Sequence, residues 1–475
     1  MDRSMEELPA EMTINILSRL PLKTIFHCKL VCKKWRNLVS DSSFVNLHLS
    51  RSPTGLLIHQ IVKKNPGVFK WVDIEDKVDD HRLDYYSLMS FDINMVPFLR
   101  NYLIDKMGSV NGLICLRLAS FKDENTYICN PVTREIMTIS IPQYYKQDFV
   151  VIACGFGVGS LTGEYKVVRT FRMNVPSNGN KIPRVRELVA EVYTLGTGQW
   201  RRLGRVPYWL DGCDFGVVLN DHCHWTISNR NAHEKICTFD LNKETFQLFP
   251  SPPREESDND FQSLAVLKGC LCITDGGNCF PFTIWVMKEY GIKKSWHKEV
   301  VITEEAVNRC RELPYLYDVY LFGGLNDGTI FFVDEDLFAF YPRSGTIENI
   351  EALKWSESGV AYRPSFLKLL NFESERVHRT SSLMMTEIVG TFLEIWHLWF
   401  LFFLCHRMDS VGRKCLLLLK HFVAIAYSIM YYIYKYLDQM LKRVDFTFLL
   451  ASLLRFFTSN LGFLSKIDKL LSGEL

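Results

Sequence analysis

The sequence predicts a small all-α N-terminal unit of three helices, then an all-β, propeller-like domain of about six blades, then an apolar, helical C-terminal tail. Three observations carry this reading. Apolar residues recur at helical spacing to about residue 51, short β-branched and aromatic runs alternate with Gly, Asn, Asp and Pro turns to about residue 372, and nearly continuous apolar stretches follow. A chain of 475 residues exceeds what one hydrophobic core organises, so 1–51, 52–372 and 373–475 are the expected domains.

In the first region Met12, Ile16, Leu17 and Leu20 are spaced as one helix, and Pro21 ends it by disfavouring helical geometry at Leu20. Pro21 can open a second helix, because its missing N–H costs nothing at a first helical position, and that helix carries Leu22, Ile25 and Phe26. A third, from about Lys29 to Val39, aligns Val31, Trp35 and Leu38, with Lys33, Lys34 and Arg36 towards water and "SDSSF" closing it. Helices this short are marginal alone, and a unit of about 45 residues buries little surface. Two readings stand on periodicity: a helical cap packed on the larger domain, or a docking element whose spare apolar face a partner covers.

The second region repeats two kinds of strand pair. Gly- or Asn/Asp-centred hairpins occur at "NGLICL" (111), "LNDHCHWTI" (219), "LKGCLCI" (267) and "LNDGTIFFV" (325). Longer strand–turn–strand units occur at "YICNPVTREIMTI" (127), "VYTLGTGQWRRL" (192), "TFDLNKETFQLF" (238), "IWVMKEYGIKKSW" (284) and "AFYPRSGTIENI" (339). Tyr193, Phe239 and Trp285 are 46 residues apart, and Phe340 follows after 55. Two hairpins per period predict four-stranded blades around a common axis, with a two-sheet sandwich as the competing architecture.

The third region contains the apolar runs 388–405, 416–434 and 446–464, interrupted by Glu394, Lys420 and Arg455. Crossing a bilayer takes about 20 residues, and a central charge costs roughly 2.5–3.5 kcal/mol. From Arg376 onward 12 Lys and Arg stand against 7 Asp and Glu, which suits sequence near a membrane. Two readings stay open: a membrane anchor, or translated non-functional sequence such as an intron or mobile element after a lost stop codon.

Composition narrows the function. Apolar residues at 48% and charged residues at 23% are globular values, and a net charge of +2 supplies no broad basic field for nucleic acid. No apolar run follows the charged start "MDRSMEELPA", so no secretory signal is expected. The 14 cysteines lie mostly among apolar neighbours and read as reduced, buried thiols, which places the protein in the cytoplasm or nucleus, with membrane association of the tail as the open alternative.

Chemistry-bearing patterns resolve towards packing. "CGFGVGSLTGE" suggests a phosphate loop, but the strand-like "YKVVRTF" follows where a helix is required. His222, Cys223 and His224 alternate sides on a strand and lack a second ligand pair, so no metal is expected; Cys270/Cys272 and Cys28/Cys32 read the same way. No nucleophile stands beside a base in a recognisable setting, and no enzyme or cofactor is expected. In the propeller-like domain Tyr208, Trp209 and Asp211 in "VPYWLDG", with "PPREESDND", are the candidate binding-loop residues, although solvated connectors explain them better.

The first region resembles the F-box: "LPAEMTINILSRLP", "VCKKWRNLVSDSSF" and "HLSRS" match its two Leu-Pro pairs and Val-Cys-Lys-x-Trp followed by Phe. The second is similar to the F-box-associated propeller domain of the large plant F-box family, through "NGLICL", "NPVTREIMTISIP", "GFGVGSLTGEYKVVR", "EVYTLGTGQWRRL", "LAVLKGCLCI" and "IWVMKEYGIKKSWHK" in that order. "RPSFLKLLNFES" resembles the motif soon after which such chains commonly end, and the third region lies outside the resemblance. The resemblance implies a non-catalytic substrate-recognition subunit of an SCF-type (Skp–cullin–F-box) ubiquitin ligase. Its F-box would bind the Skp-family adaptor and, through it, cullin and RING subunits, while the propeller would hold an unknown protein target. Carried over by position, Leu8 and Pro9 would face the adaptor from the first helix, Leu22 would extend that contact, and Val31, Cys32 and Trp35 would line the third helix. Trp35 would be the anchor; Met12, Ile16 and Leu20 would hold the helices together.

Overall fold

The structure is a computed structural model. It describes residues 9–62, 65–72, 85–90, 104–118, 125–140, 149–175, 185–210, 215–228, 233–253, 261–275, 282–310, 320–324, 328–334, 336–350, 356–372 and 376–379. The three apolar runs of the expected tail lie outside these residues. Among the described residues no helix is long and apolar enough to cross a membrane.

Four helices open the chain: α1 (Ala10–Leu17), α2 (Leu22–Val31), α3 (Lys33–Leu38) and α4 (Ser42–Arg51). Pro9 and Pro21 each sit one residue ahead of a helix at φ −53° and −56°, and their carbonyls accept the first helical bonds, from Thr13 and Ile25. The expected third helix from Lys29 is divided differently. Cys32 is extended (φ −155°, ψ 163°), ends α2, and accepts the Trp35 N–H on its sulfur at 3.4 Å to begin α3. Val31 and Trp35 therefore do not share a helix. "SDSSF" opens α4 rather than closing α3, because Asp41 accepts the Ser43 N–H at 2.9 Å and caps a further helix.

Among the described residues twenty-five strands follow, in six four-stranded antiparallel units with one extra edge strand. Unit 2 holds β4 (Ile104–Val110), β5 (Leu113–Leu118), β6 (Thr126–Asn130) and β7 (Glu135–Ile139). Unit 3 holds β8 (Phe149–Val158), β9 (Tyr165–Val175), β10 (Val185–Thr194) and β11 (Trp200–Arg205). Unit 4 holds β12 (Phe215–Leu219), β13 (His222–Thr226), β14 (Ile236–Asp240) and β15 (Thr245–Phe249). Unit 5 holds β16 (Phe261–Leu267), β17 (Cys270–Asp275), β18 (Phe282–Met287) and β19 (Trp296–Ile302). Unit 6 holds β20 (Tyr320–Gly324), β21 (Ile330–Asp334), β22 (Asp336–Tyr341) and β23 (Thr346–Asn349). Unit 1 is assembled from both ends of the domain: β1 (Gly55–Val62), β2 (Asn65–Val72) and β3 (Tyr85–Ser90) are completed by β24 (Ser356–Tyr362), which pairs with β1.

The leading strands β24, β4, β8, β12, β16 and β20 pack in that cyclic order, and β20 returns to β24. Six four-stranded units in a closed cycle, units 3 and 4 joined into one eight-stranded sheet by parallel pairing of β8 with β12, exclude the two-sheet sandwich. The sequence period marks real positions: Tyr193, Phe239, Trp285 and Phe340 fall on β10, β14, β18 and β22, the third strand of each unit. The Gly- or Asn/Asp-centred hairpins join first to second strands, as two-residue turns with both central φ values positive at Asn111–Gly112, Asn220–Asp221 and Lys268–Gly269. The glycine-rich "GFGVG" runs along β8 into a turn before β9, as a strand-to-strand connection.

One hydrophobic cluster spans helices and sheets: Leu17, Leu22, Ile25, Cys28, Val39 and Phe44 share it with Trp71, Ile114, Tyr127, Tyr362 and Phe366. Ordered strand structure continues past residue 372, because β25 (Arg376–Arg379) pairs with β7 at the edge of unit 2.

Candidate functional site

Helix α1 carries two apolar stripes, and the structure uses them differently from the sequence-based expectation. Thr13 and Leu17, one turn apart, face the core; Leu17 is 2% exposed, and the Thr13 hydroxyl bonds back to the Pro9 carbonyl at 3.2 Å. Met12 and Ile16, expected to hold the helices together, form the neighbouring stripe and are 54% and 43% exposed. Leu20 is half-buried against the shared core, as expected of it. Periodicity fixes that a stripe exists, but two stripes one residue out of phase look alike until the partner surface is known.

The residues carried over by resemblance separate in the same way. Pro9 is exposed, and Leu8 lies outside the described residues. Val31 is 66% exposed at the end of α2, a large apolar side chain left in water. Cys32 and Trp35 are half-buried, and Trp35 packs on the edge of the shared core. Leu22 departs from the expectation: it is 6% exposed and sits with Ile25 and Cys28 inside the chain's own core, on the opposite face of α2 from Val31's side chain. Burial raises the Cys28 thiol pKa, which makes it a packing group rather than a nucleophile.

The helices are thus amphipathic twice over, packed on one side and apolar on another. Arg51 fastens α4 to α1 through the Asn15 carbonyl at 3.2 Å and the Ser18 hydroxyl. Exposed Met12, Ile16 and Val31 therefore sit on a braced support and are available for a helix or groove from outside.

Elsewhere the suspected chemical sites are occupied by structural contacts. His224 is buried; its Nδ1 lies 3.0 Å from the Val217 carbonyl and its Nε2 2.8 Å from the Tyr290 hydroxyl. Burial holds it near neutral form, with its pKa lowered to about 4. Cys223, on the other side of the strand, packs in the core between units 3 and 4, its thiol pushed up to about 12 by burial. Tyr208 is half-buried, and Trp209, 42% exposed, has the Arg172 guanidinium 5.8 Å from its ring centroid; Asp211 and the charged end of "PPREESDND" lie outside the described residues.

The sequence matches the F-box domain over residues 5–47 and the F-box associated beta propeller domain over residues 71–346. The chain belongs to the F-box-associated β-propeller family. Among curated proteins, the F-box protein At3g07870 of Arabidopsis thaliana is 31% identical over 319 residues, covering 63% of this chain and 73% of that protein. The F-box protein CPR1 from the same plant is 26% identical over 336 residues, covering 66% and 76%. The F-box/kelch-repeat protein At3g23880, also from Arabidopsis thaliana, is 25% identical over 303 residues, covering 62% and 79%. F-box domains bind Skp-family adaptors, and α1 to α3 with the start of α4 are the residues of this chain that the F-box match spans.

The sequence reading missed α4 and the packing of the "RPSFLKLLNFES" segment on it. Their signals were present as Asp41 before a Phe44/His48 pair one turn apart, and as the apolar "FLKLL" beyond the last repeat.

Proposed function

We propose that this protein is the substrate-recognition subunit of an SCF-type ubiquitin ligase complex. The F-box docks on a Skp-family adaptor and, through it, on cullin and RING subunits, while the six units, read as the blades of one propeller, hold a target protein for ubiquitination. The protein performs no bond chemistry itself. It raises the effective concentration of target lysines near a ubiquitin-loaded enzyme.

The observation that carries this reading is the exposure of Met12, Ile16 and Val31 on helices whose other faces are already packed. The docking face comprises Pro9, Met12, Ile16, Val31, Cys32 and Trp35, with Leu22 supporting it from the core; the resemblance adds Leu8 to this set. Contacts of this type concentrate energy in a few desolvated apolar side chains, and one lost anchor costs about 2 kcal/mol, or roughly 30-fold in affinity.

The test is titration of the full chain against a purified Skp-family adaptor. Val31→Asp and Ile16→Asp change exposed positions, so the fold is retained and adaptor affinity falls by roughly 30-fold, the weaker end of the anchor range. Equal affinity of wild type and both variants would reject the docking face, and no wild-type binding would reject the ligase reading.

A further inference from the structure

After β24, residues 363–372 run as a strap across the turns of unit 2. Its backbone is held at several points. Tyr362 donates its hydroxyl to the Gly112 carbonyl at 3.2 Å. The Asn130 side-chain amide donates to the carbonyls of Ser365, at 3.0 Å, and Leu367, at 2.6 Å. Glu135 accepts the Leu369 N–H at 2.6 Å. Gly112, at φ +80°, allows the approach: a Cβ there would lie 2.3 Å from the Ser365 Cβ. These anchors all belong to unit 2, and β25 then pairs along β7 of the same unit.

From this fixed backbone Phe366 points into the F-box. It is 2% exposed, with its ring centroid 5.8 Å from Phe26, 5.8 Å from Phe44 and 5.2 Å from His48, each edge-on, and the Lys29 ammonium is 5.5 Å from the same ring. Phe26 and Lys29 are on α2, and Phe44 and His48 are on α4. One side chain therefore contacts two helices from a mount that belongs to the propeller. The direct chain link, residues 52–54, is tied by polar contacts, Ser52 to the His48 ring at 3.1 Å and Thr54 to the Arg363 guanidinium at 3.1 Å, and small units joined by such links move relative to each other unless an apolar contact prevents it.

We propose that residues 362–372 are a positioning strap: Phe366, clamped to unit 2 through Asn130, Glu135 and Gly112, fixes the orientation of the F-box helices on the propeller so that the two turn as one body. Phe366 is a positioning residue. Its consequence for ubiquitin transfer, a fixed reach from adaptor to target, rests on the function proposed above; the orientation itself does not.

The experiment is a distance measurement between spin labels, introduced as non-canonical residues at the exposed positions Asn46 and Lys243 of the full chain. Hydrogen exchange on α2, α4, β5 and β6 is followed alongside. The wild type gives a narrow distance distribution. Phe366→Ala broadens it about two-fold, as expected for a unit released to move on a flexible link, with helix and strand amides still protected, and Phe366→Tyr restores the narrow width. Gly112→Ala, which displaces Ser365 without altering any helical residue, broadens it as well. A wild-type width in Phe366→Ala with protected helices overturns the proposal. If Phe366→Ala itself melts the helices, Gly112→Ala decides: broadening with protected helices supports the strap, and an unchanged width overturns it. Loss of helix protection in both variants also overturns it, since the segment would then serve folding of the F-box rather than its orientation. Adaptor titration of the same proteins separates the readings, because a wild type that fails to bind adaptor removes the ligase function and leaves the distance result standing.

Discussion

His48 shows how a single residue reads differently in sequence and in space. In "FVNLHLSR" it looks like a polar helix-surface residue, yet it is 4% exposed, stacked on Phe44 and edge-on to Phe366, with its Nδ1 3.1 Å from the Ser52 hydroxyl. The Phe44/His48 stripe could be seen in the sequence; its partner, from the far end of the domain, could not. Burial lowers the His48 pKa from 6.5 to about 4. Between those values the unfolded chain binds a proton that the folded chain refuses, so stability is complete above pH 6.5 and falls as the pH drops towards 4. From pH 7 to pH 5 this one group removes about 2 kcal/mol. His59 and His224, also lowered to about 4, act in the same window, whereas the carboxylates held low, among them Glu234, Glu244 and Glu299, lose their contribution as the pH falls from their ordinary value of 4.5 downwards. Urea unfolding at the two pH values is expected to show a His48→Phe variant losing about 2 kcal/mol less than wild type. Equal losses would show that His48 takes up its proton without unfolding.

At the scale of elements, the hairpins were legible because local chemistry decides them. "NG", "ND" and "KG" each supply the two positive φ values that a two-residue turn needs, and each stands where the sequence placed a hairpin. Asn130 and Asp240 open the longer turns of units 2 and 4 with the same device, a side-chain oxygen accepting the N–H groups two and three residues on. The break at Cys32 was not legible, since nothing in "KLVCKKW" disfavours a continuous helix. The junction between units 3 and 4 was likewise hidden. There β8 and β12 pair in parallel through Phe215 opposite Cys154 and Gly216 opposite Gly155, and the Trp225 indole N–H reaches the Cys154 carbonyl at 2.9 Å. Both glycines are spaces for that indole: a Cβ would lie 2.5 Å from it at Gly216 and 2.8 Å at Gly155. "GFGVG" thus contributes packing room rather than a phosphate cradle. Gly216→Ala forces the buried ring aside and is expected to lower stability by roughly 1–3 kcal/mol, read from the urea midpoint. An unchanged urea midpoint in Gly216→Ala would show that Trp225 does not need the space.

For the whole molecule the decisive feature is closure. Each unit except the first is continuous in sequence, which is why a regular period could be read and a repeated fold inferred. The first is not: Gly55 to Gln60 on β1 pair with Tyr362 to Ser356 on β24, and β24 alone borders both β20 and β4 in the cycle of leading strands. No local signal marks "SESGVAY" as the innermost strand of a sheet begun 300 residues earlier; only completion of the cycle of leading strands, in which it packs between β20 and β4, does so. The strand therefore acts as a latch, and losing it costs more than its own pairing, since units 1, 2 and 6 each lose a neighbour at once. A chain ending after residue 379 keeps β24, the strap and β25, and is expected to unfold in one cooperative transition at the temperature of the full protein. A chain ending after residue 355 is expected to lose that transition and to elute as an expanded species, although it retains every strand from β1 to β23. Differential scanning calorimetry with size-exclusion chromatography on the two chains checks this. If the shorter chain kept the full transition, the ring would be held by its five continuous units alone, and the latch would be an ornament on unit 1 rather than the contact that closes the propeller.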